Sequence, residues 1–179
     1  MKKEKLFNKG FTLLELLVVV LIIGILAAIA LPKYKLAVEK SKAASVLSLV
    51  KSFADAEDRF YLANGRYTYN YDDLDLKLPS TKTATCLSKP KQTCYDINGW
   101  SFEIYRYNPS GEPVAIEATK APVNIVSYFL ESSKKTYGSL SCSVKNATNK
   151  EFGYKLCEAL GGKDPQTSPS GTRSYFLDR

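Results

Sequence analysis

The chain of 179 residues contains no histidine, and this absence excludes several kinds of chemistry. Without histidine there are no Ser-His or Cys-His nucleophile pairs and no imidazole ligands for zinc. The four cysteines form no C-x-x-C pair, so a cysteine zinc site is not expected either. A Gly-rich phosphate loop and paired carboxylates in a defined strand context are also missing. The sequence therefore predicts no enzyme activity, no cofactor and no metal site.

The chain does have a long apolar run near its N-terminus, residues 11–31, interrupted only by Thr12, Glu15 and Gly24. As a helix this run would be about 32 Å long, which is enough to cross the hydrocarbon core of a bilayer. A charged side chain in such a segment costs roughly 2.5–3.5 kcal/mol or more. Glu15 is therefore a candidate functional residue.

A short basic segment precedes the apolar run and contains Lys2, Lys3, Lys5 and Lys9. Lysines beside a membrane helix mark its cytoplasmic side, so the rest of the chain is expected outside the cytoplasm. Part of the net charge of +7 belongs to this segment. Enough residues follow the apolar run to form one globular domain with its own core.

Disulfides are the expected state of the four cysteines, because the compartment is oxidising and their number is even. Three connectivities are possible. Pairing the nearest neighbours is favoured, Cys86 with Cys94 and Cys142 with Cys157, because each bond would close a short loop. Free buried thiols are the alternative.

Helical periodicity continues beyond the apolar run, with apolar residues on one face and charges on the other as far as residue 63. Asn64 and Gly65 are a plausible helix end. Gly24 weakens the helix by about 1 kcal/mol relative to alanine, and Pro32 is expected to kink it. Both are tolerated in any membrane helix, or they permit local melting.

The rest of the chain predicts strands and one short helix, hence an α+β fold in which the long helix packs on an antiparallel sheet. The expected strands are residues 100–107, 114–118, 123–130, 136–144 and an edge strand at 174–177, and the short helix is 150–160, capped by Asn149. Residues 66–79 and 81–93 are expected to be loops. The three aspartates of the first loop lack the D-x-D-x-D-G calcium pattern, so it is predicted to be solvated.

The start of the apolar run resembles the processing site of type IV prepilins, in the sequence Lys9-Gly10-Phe11-Thr12-Leu13-Leu14-Glu15-Leu16. The resemblance implies cleavage after Gly10 by a membrane-embedded prepilin peptidase, which also methylates Phe11. It implies that Glu15 meets the Phe11 amine of a neighbouring subunit during assembly. Similar Gly24 and Pro32 positions recur in the family, and the loop closed by Cys142 and Cys157 is similar to its C-terminal disulfide loop.

The resemblance predicts a structural subunit of a type IV pilus, a helical homo-oligomer. It implies a cytoplasmic leader at residues 1–10, a transmembrane and filament-core helix at 11–32 and a globular domain at 33–179. The inner membrane, the prepilin peptidase/methyltransferase and the pilus assembly machinery are the implied partners. Adhesion or other surface contacts would belong to the globular domain.

Several alternatives remain from the sequence. A pseudopilin of a type II secretion system would share the N-terminal segment, whereas an ordinary signal peptide or a plain anchor would leave Glu15 unexplained. A secreted or anchored binding domain is the alternative of another class. Nucleic acid is a weak candidate partner, because the basic clusters lack an aromatic platform. These clusters comprise Lys82, Lys89, Lys91, Lys134 and Lys135.

Overall fold

The computed structural model describes residues 11–78, 81–83, 94–106, 113–128, 139–145 and 148–177, which form a long helix followed by an antiparallel sheet. The chain divides into two units, with the boundary between Ala37 and Val38. Helix α1, Leu13–Asn64, includes residues of both units. It is continuous through Gly24 and Pro32, and the predicted kink stays a prediction.

Helix α1 ends at Asn64 because the next residue, Gly65, has a backbone conformation that stops the helix. Gly65 has a φ of +70°, a conformation that side chains other than glycine rarely adopt. Its N–H donates to the carbonyl oxygen of Tyr61 at 2.8 Å, which satisfies one of the last free carbonyls of the helix. The predicted Asn64-Gly65 end is therefore confirmed.

The buried face of α1 belongs to the second unit. Its side chains recur at intervals of three and four residues, as one face of an amphipathic helix requires. They are Ala43, Val46, Val50, Phe53, Ala54, Ala56 and Glu57. All of these are apolar except Glu57, so this part of the helix packs into a core.

Eight strands lie within the described residues, and every neighbouring pair is antiparallel. The order across the sheet is β1-β2-β3-β4-β5-β6-β8-β7, with helix α2 between β6 and β7 in the chain. The elements are β1 Thr81–Thr83, β2 Cys94–Ile97, β3 Trp100–Arg106, β4 Pro113–Lys120, β5 Val123–Tyr128, β6 Leu140–Val144, α2 Lys150–Ala159, β7 Lys163–Thr167 and β8 Arg173–Leu177.

The core lies between α1 and one face of the central strands. Trp100, Phe102 and Ile104 alternate along β3 and are all buried, so one face of this strand is apolar. The Phe53 ring of α1 meets the Phe102 ring edge-on, with 5.8 Å between their centres. Burying a side chain of this size contributes about 1.5–3 kcal/mol. The predicted α+β architecture is confirmed.

A charged contact adds to this packing at the other end of the buried face. Lys120, the last residue of β4, donates to Glu39 of α1 at 2.6 Å. The hydrogen bond from Lys120 holds the pKa of Glu39 below its ordinary value of 4.5. The side chains are partly exposed, so water screens this pair more than it would a core pair.

The sheet differs from the sequence prediction at its edges. Residues 81–93 were expected to be a loop, but β1 begins at Thr81 and pairs with β2. Strand β7 was not predicted, because its five residues are all exposed and include Pro165, so they show no apolar alternation. Since β7 pairs with β8, the segment expected as the edge strand lies inside the sheet instead.

The start of α2 also corrects an expectation. Asn149 precedes the helix, but its side chain makes no capping hydrogen bond. Its backbone is left-handed, with a φ of 67°, which asparagine tolerates better than most residues. Asn149 therefore acts through its backbone conformation rather than as the predicted side-chain cap.

The segment after α1, residues 66–76, is here called the strap, and it is less solvated than predicted. Tyr71 stands in a short 3-10 turn, Tyr71–Asp73, and its side chain is buried. Its ring lies 5.5 Å from that of Phe53 and 5.1 Å from that of Tyr95, both edge-on. A buried aromatic side chain therefore holds this segment against the core. The three aspartates of the segment had predicted a solvated loop instead.

Candidate functional site

The site lies at the start of α1, where Thr12, just before the helix, and Glu15, in its first turn, form a reciprocal cap. The Thr12 backbone N–H donates to Glu15 Oε2 at 2.8 Å, and the Thr12 hydroxyl donates to the same oxygen at 2.7 Å. The Glu15 N–H in turn donates to Thr12 Oγ1 at 3.2 Å. This arrangement is a capping box, in which each residue satisfies a backbone donor that the helix leaves free.

The sequence contains a signal for this cap that is separate from the charge of Glu15 in an apolar run. Thr12 and Glu15 have the spacing of the pattern [ST]-x-x-[DE] before an apolar run. Within the described part of the chain, only Oε2 of Glu15 accepts these bonds. Oε1 is left to accept a further donor.

The helix that follows this cap exposes an apolar surface. Every residue from 11 to 35 is exposed except Ala27, which is half-buried. Large side chains are widely accessible, including Leu13 at 82% and Leu26 at 62%. Exposed apolar area of this extent marks a surface that another molecule or a membrane covers.

The same segment is long and apolar enough to cross a membrane by length and composition. An 18-residue window of α1 has a mean hydropathy of 3.0, and none of it is buried within the chain. Gly24 lies in a shallow apolar groove on this surface, and a Cβ added there would meet nothing within 4 Å. The groove is lined by Leu17, Val20, Leu21, Gly24, Ile25 and Ala28.

The residues around the predicted cleavage point are only partly described. Phe11 and Thr12 precede the helix, and Phe11 is 78% exposed. Gly10 lies outside the described residues, so cleavage between Gly10 and Phe11 stays a prediction. Lys89, Lys91, Lys134 and Lys135 of the basic clusters also lie outside them.

A second predicted feature lies at the other end of the chain. A disulfide joins Cys142 of β6 to Cys157 of α2, with 2.00 Å between the sulfur atoms. Both residues are fully buried, and α2 packs so closely that a Cβ on Gly153 would lie 2.8 Å from Val144 Cγ1. The bond therefore ties α2 to the sheet at a tightly packed contact.

The other predicted disulfide is only partly visible. Cys94 is disulfide-bonded and fully buried, whereas Cys86 lies outside the described residues. The Cys86–Cys94 pairing stays a prediction. Within the described ranges, no group of three or more His, Cys, Asp and Glu side chains could hold a metal ion.

Comparison with known proteins shows similarity in the segment that contains the cap. Residues 6–31 match the family described as the prokaryotic N-terminal methylation motif. A type IV major pilin protein PilE1 of Neisseria gonorrhoeae is 39% identical over 63 residues, which cover 35% of this chain and 38% of the relative. A type IV major pilin protein PilA of Myxococcus xanthus is 43% identical over 61 residues, 34% of this chain and 28% of the relative.

A type IV major fimbrial protein FimA of Dichelobacter nodosus is 54% identical over 44 residues, 25% of this chain and 28% of the relative. The chain therefore matches well under two thirds of the length of each of these relatives. No solved structure matches the chain. The chain thus carries the N-terminal methylation motif and is similar, over about a third of its length, to type IV pilins.

Proposed function

We propose that the chain is a structural subunit of a type IV pilus, made as a prepilin and polymerised through the first part of α1. The observation that carries this proposal is the exposed apolar helix with the Thr12–Glu15 cap at its start, within the segment that matches the methylation motif. Before assembly the apolar residues would lie in the inner membrane, with the N-terminus in the cytoplasm. In the filament, neighbouring copies of the same helix would cover them.

Processing would create the partner that Glu15 requires. Removal of residues 1–10 by the prepilin peptidase/methyltransferase would leave Phe11 as the new, N-methylated terminus, which carries a positive charge. Glu15 Oε2 is already held by Thr12, so Oε1 faces no competitor within the described chain. It would accept the amine of a neighbouring subunit, and in this way one carboxylate would cap its own helix and set the register of the next.

One substitution tests the charge of Glu15 separately from its hydrogen bonds. Glu15→Gln keeps an oxygen that accepts from Thr12, because glutamine serves equally in a capping box. Removing one partner of a buried ion pair costs about 3–5 kcal/mol. We expect Glu15→Gln to be inserted and cleaved like the wild type but to form few or no filaments.

Glu15→Val and Thr12→Ala complete this comparison. Glu15→Val removes both the cap and the charge, so it should also block assembly while leaving insertion and cleavage largely intact. Thr12→Ala weakens the cap by about 1 kcal/mol and keeps the charge, so filaments should persist. Filaments are counted by electron microscopy of sheared preparations, and wild-type numbers from Glu15→Gln would refute the pairing.

Mass spectrometry of the purified subunit tests the processing step separately. The expected mature chain begins with N-methylated Phe11. A mature start at Leu31, or an uncut Met1, would contradict the proposal and favour an ordinary signal peptide or anchor. Deletion of the gene should abolish surface filaments, whereas loss of an exported enzyme with filaments intact would identify a type II secretion pseudopilin.

The implied partners are the inner membrane, the peptidase/methyltransferase, the assembly machinery and further copies of the chain. The globular domain at residues 33–179 would face outward and supply surface contacts. The match to the Neisseria gonorrhoeae pilin covers 35% of this chain, so much of the outer surface would differ from that relative. Local melting near Gly24 and Pro32 would help the helices pack, and it belongs to the same proposal.

A further inference from the structure

The strap is held to the last turns of α1 by contacts of two kinds. In the interior, Glu57 Oε2 accepts the Thr68 N–H at 3.1 Å, and the Tyr71 ring packs against Phe53. On the surface, Arg59 donates to both carboxylate oxygens of Asp75 at 2.8 Å. Exposed ion pairs contribute little to stability, so the interior contacts determine whether the strap stays closed.

Glu57 is an unusual residue to place at this position. Its side chain is fully buried, and within the described residues its Oε1 has no hydrogen-bond partner. A buried carboxylate without a compensating cation is costly, and such a group tends to become neutral instead. The single hydrogen bond from Thr68 favours the charged form but does not offset the loss of water.

The groups that face Glu57 increase this cost. Asp58 on the same helix and Asp73 in the strap are both acidic, and each raises the pKa of Glu57, as burial does. Tyr71 of the strap has a buried hydroxyl without a partner among the described residues. Glu103 and Tyr95 of the sheet raise the pKa of the Tyr71 hydroxyl, and neither brings a positive charge to the site.

Burial is the main cause that raises the pKa of Glu57 to about 7. A carboxyl whose pKa is raised on folding stabilises the folded state fully below its unfolded pKa of about 4.5, and that stability is lost as the pH rises through about 7. Because Glu57 accepts a hydrogen bond from the strap, we expect this loss of stability to affect the strap before the rest of the domain.

We propose that Glu57 is a proton-operated latch for the strap: its neutral carboxyl keeps the strap closed on α1, and its ionisation lets residues 66–70 open to water. The opening would bring water to the carboxylate and relieve its repulsion by Asp58 and Asp73. The Tyr61 and Tyr67 rings, stacked at 4.6 Å, and the exposed Tyr69 lie at this end of α1. Opening would therefore change an aromatic surface near neutral pH. The latch is independent of the proposed filament function.

Hydrogen exchange measured by mass spectrometry on the full chain in detergent tests the latch. Exchange is followed at about pH 5.5 and about pH 8.5, on either side of the Glu57 pKa, and corrected for the intrinsic dependence of exchange on pH. We expect protection of residues 66–70 to fall by up to about tenfold for each pH unit between about 4.5 and about 7, and to level off above that range. Protection of β3 should change much less. Equal protection of the strap at both pH values would overturn the proposal.

Two matched variants identify the group responsible. Glu57→Gln keeps an oxygen that accepts from Thr68 but is neutral at every pH, so its strap should be protected equally at both pH values. Glu117→Gln is the control, because Glu117 of β4 is also buried and burial raises its pKa. Its strap should keep the wild-type pH dependence. A Glu57→Gln protein that keeps this dependence would also overturn the proposal.

Infrared spectroscopy keeps the test valid if Glu57→Gln does not fold. In the Glu117→Gln background, the band of a protonated buried carboxyl should be present at about pH 5.5 and lost with a midpoint near 7. Absence of that band at the lower pH would show that Glu57 is already ionised with the strap closed. That result would overturn the latch without reference to any variant at Glu57.

Discussion

The two parts of α1 have the same secondary structure but opposite surfaces. Residues 13–37 are apolar almost all round, and the chain buries none of them. Residues 38–64 are amphipathic and bury Phe53 and its neighbours against the sheet. The first part is therefore helical although none of its residues is classed as buried. An exposed apolar surface of this extent is typical of a segment that a membrane or another molecule covers.

The same comparison applies to the two glutamates. Glu15 is exposed at the start of the helix, and its own cap leaves Oε1 open for a partner. Glu57 is fully buried, and among the described residues it accepts a hydrogen bond from Thr68 while the charges acting on it, Asp58 and Asp73, are both acidic. One carboxylate thus remains available to another molecule, whereas the other responds to the proton concentration.

The largest expected effect comes from truncating an apolar residue in each part. Phe53→Ala should destabilise the domain by about 3–5 kcal/mol, because it leaves a cavity between Tyr71 and Phe102. Leu21→Ala, at an exposed position, should change the stability by less than about 0.5 kcal/mol. Trp100, the single tryptophan, is fully buried, so its fluorescence during denaturation reports the domain alone. Similar losses from both variants would contradict the division.

An intermediate effect is expected from adding a methyl group to a glycine of α2. In Gly153→Ala the new Cβ would lie 2.8 Å from Val144 Cγ1, so overpacking should cost about 1–3 kcal/mol. This loss should outweigh the gain of about 1 kcal/mol in helix propensity.

Gly24→Ala provides the matched variant in the first part of α1, where a Cβ meets nothing within 4 Å. It should leave the domain unchanged in the same denaturation assay. If Gly153→Ala were as stable as the wild type, the packing of α2 on β6 would be looser than the structure shows.

The smallest effect is expected from the contact between Lys120 and Glu39. Lys120→Met keeps most of the apolar stem and removes the charge, so it should cost about 0.5–1 kcal/mol near neutral pH. Glu39 has a lowered pKa, so the stability it contributes is present above about 4.5 and is lost as the pH falls below that value. The cost of the variant should therefore shrink at about pH 3.

Lys35→Met, at an exposed position in the first part of α1, is the control for this variant. It should cost little at either pH. A cost of Lys120→Met that is the same at both pH values would show that packing of the stem, rather than the ion pair, carries the effect.

Local patterns predicted much of the fold. The helical period, the Asn64-Gly65 end and the alternation along β3 are each visible in a short stretch of sequence, and each is present in the structure. Strand β7 was missed because its polar residues form an edge, where pairing with one neighbour requires no apolar face. The Thr12–Glu15 cap was not predicted, although the two residues have the spacing of a capping box in the sequence.

The resemblance to type IV prepilins could be recognised from the sequence alone, because the motif from Gly10 to Glu15 and the apolar run are contiguous features that depend on nothing distant. The sequence also shows that the first part of α1 is apolar on nearly every side, which predicts that a membrane or another molecule covers it. The packing of the folded chain places β8 inside the sheet, lets Tyr71 anchor the strap and buries Glu57. These outcomes depend on which distant residues exclude water from a site, and burial of that kind is a property of the packed chain.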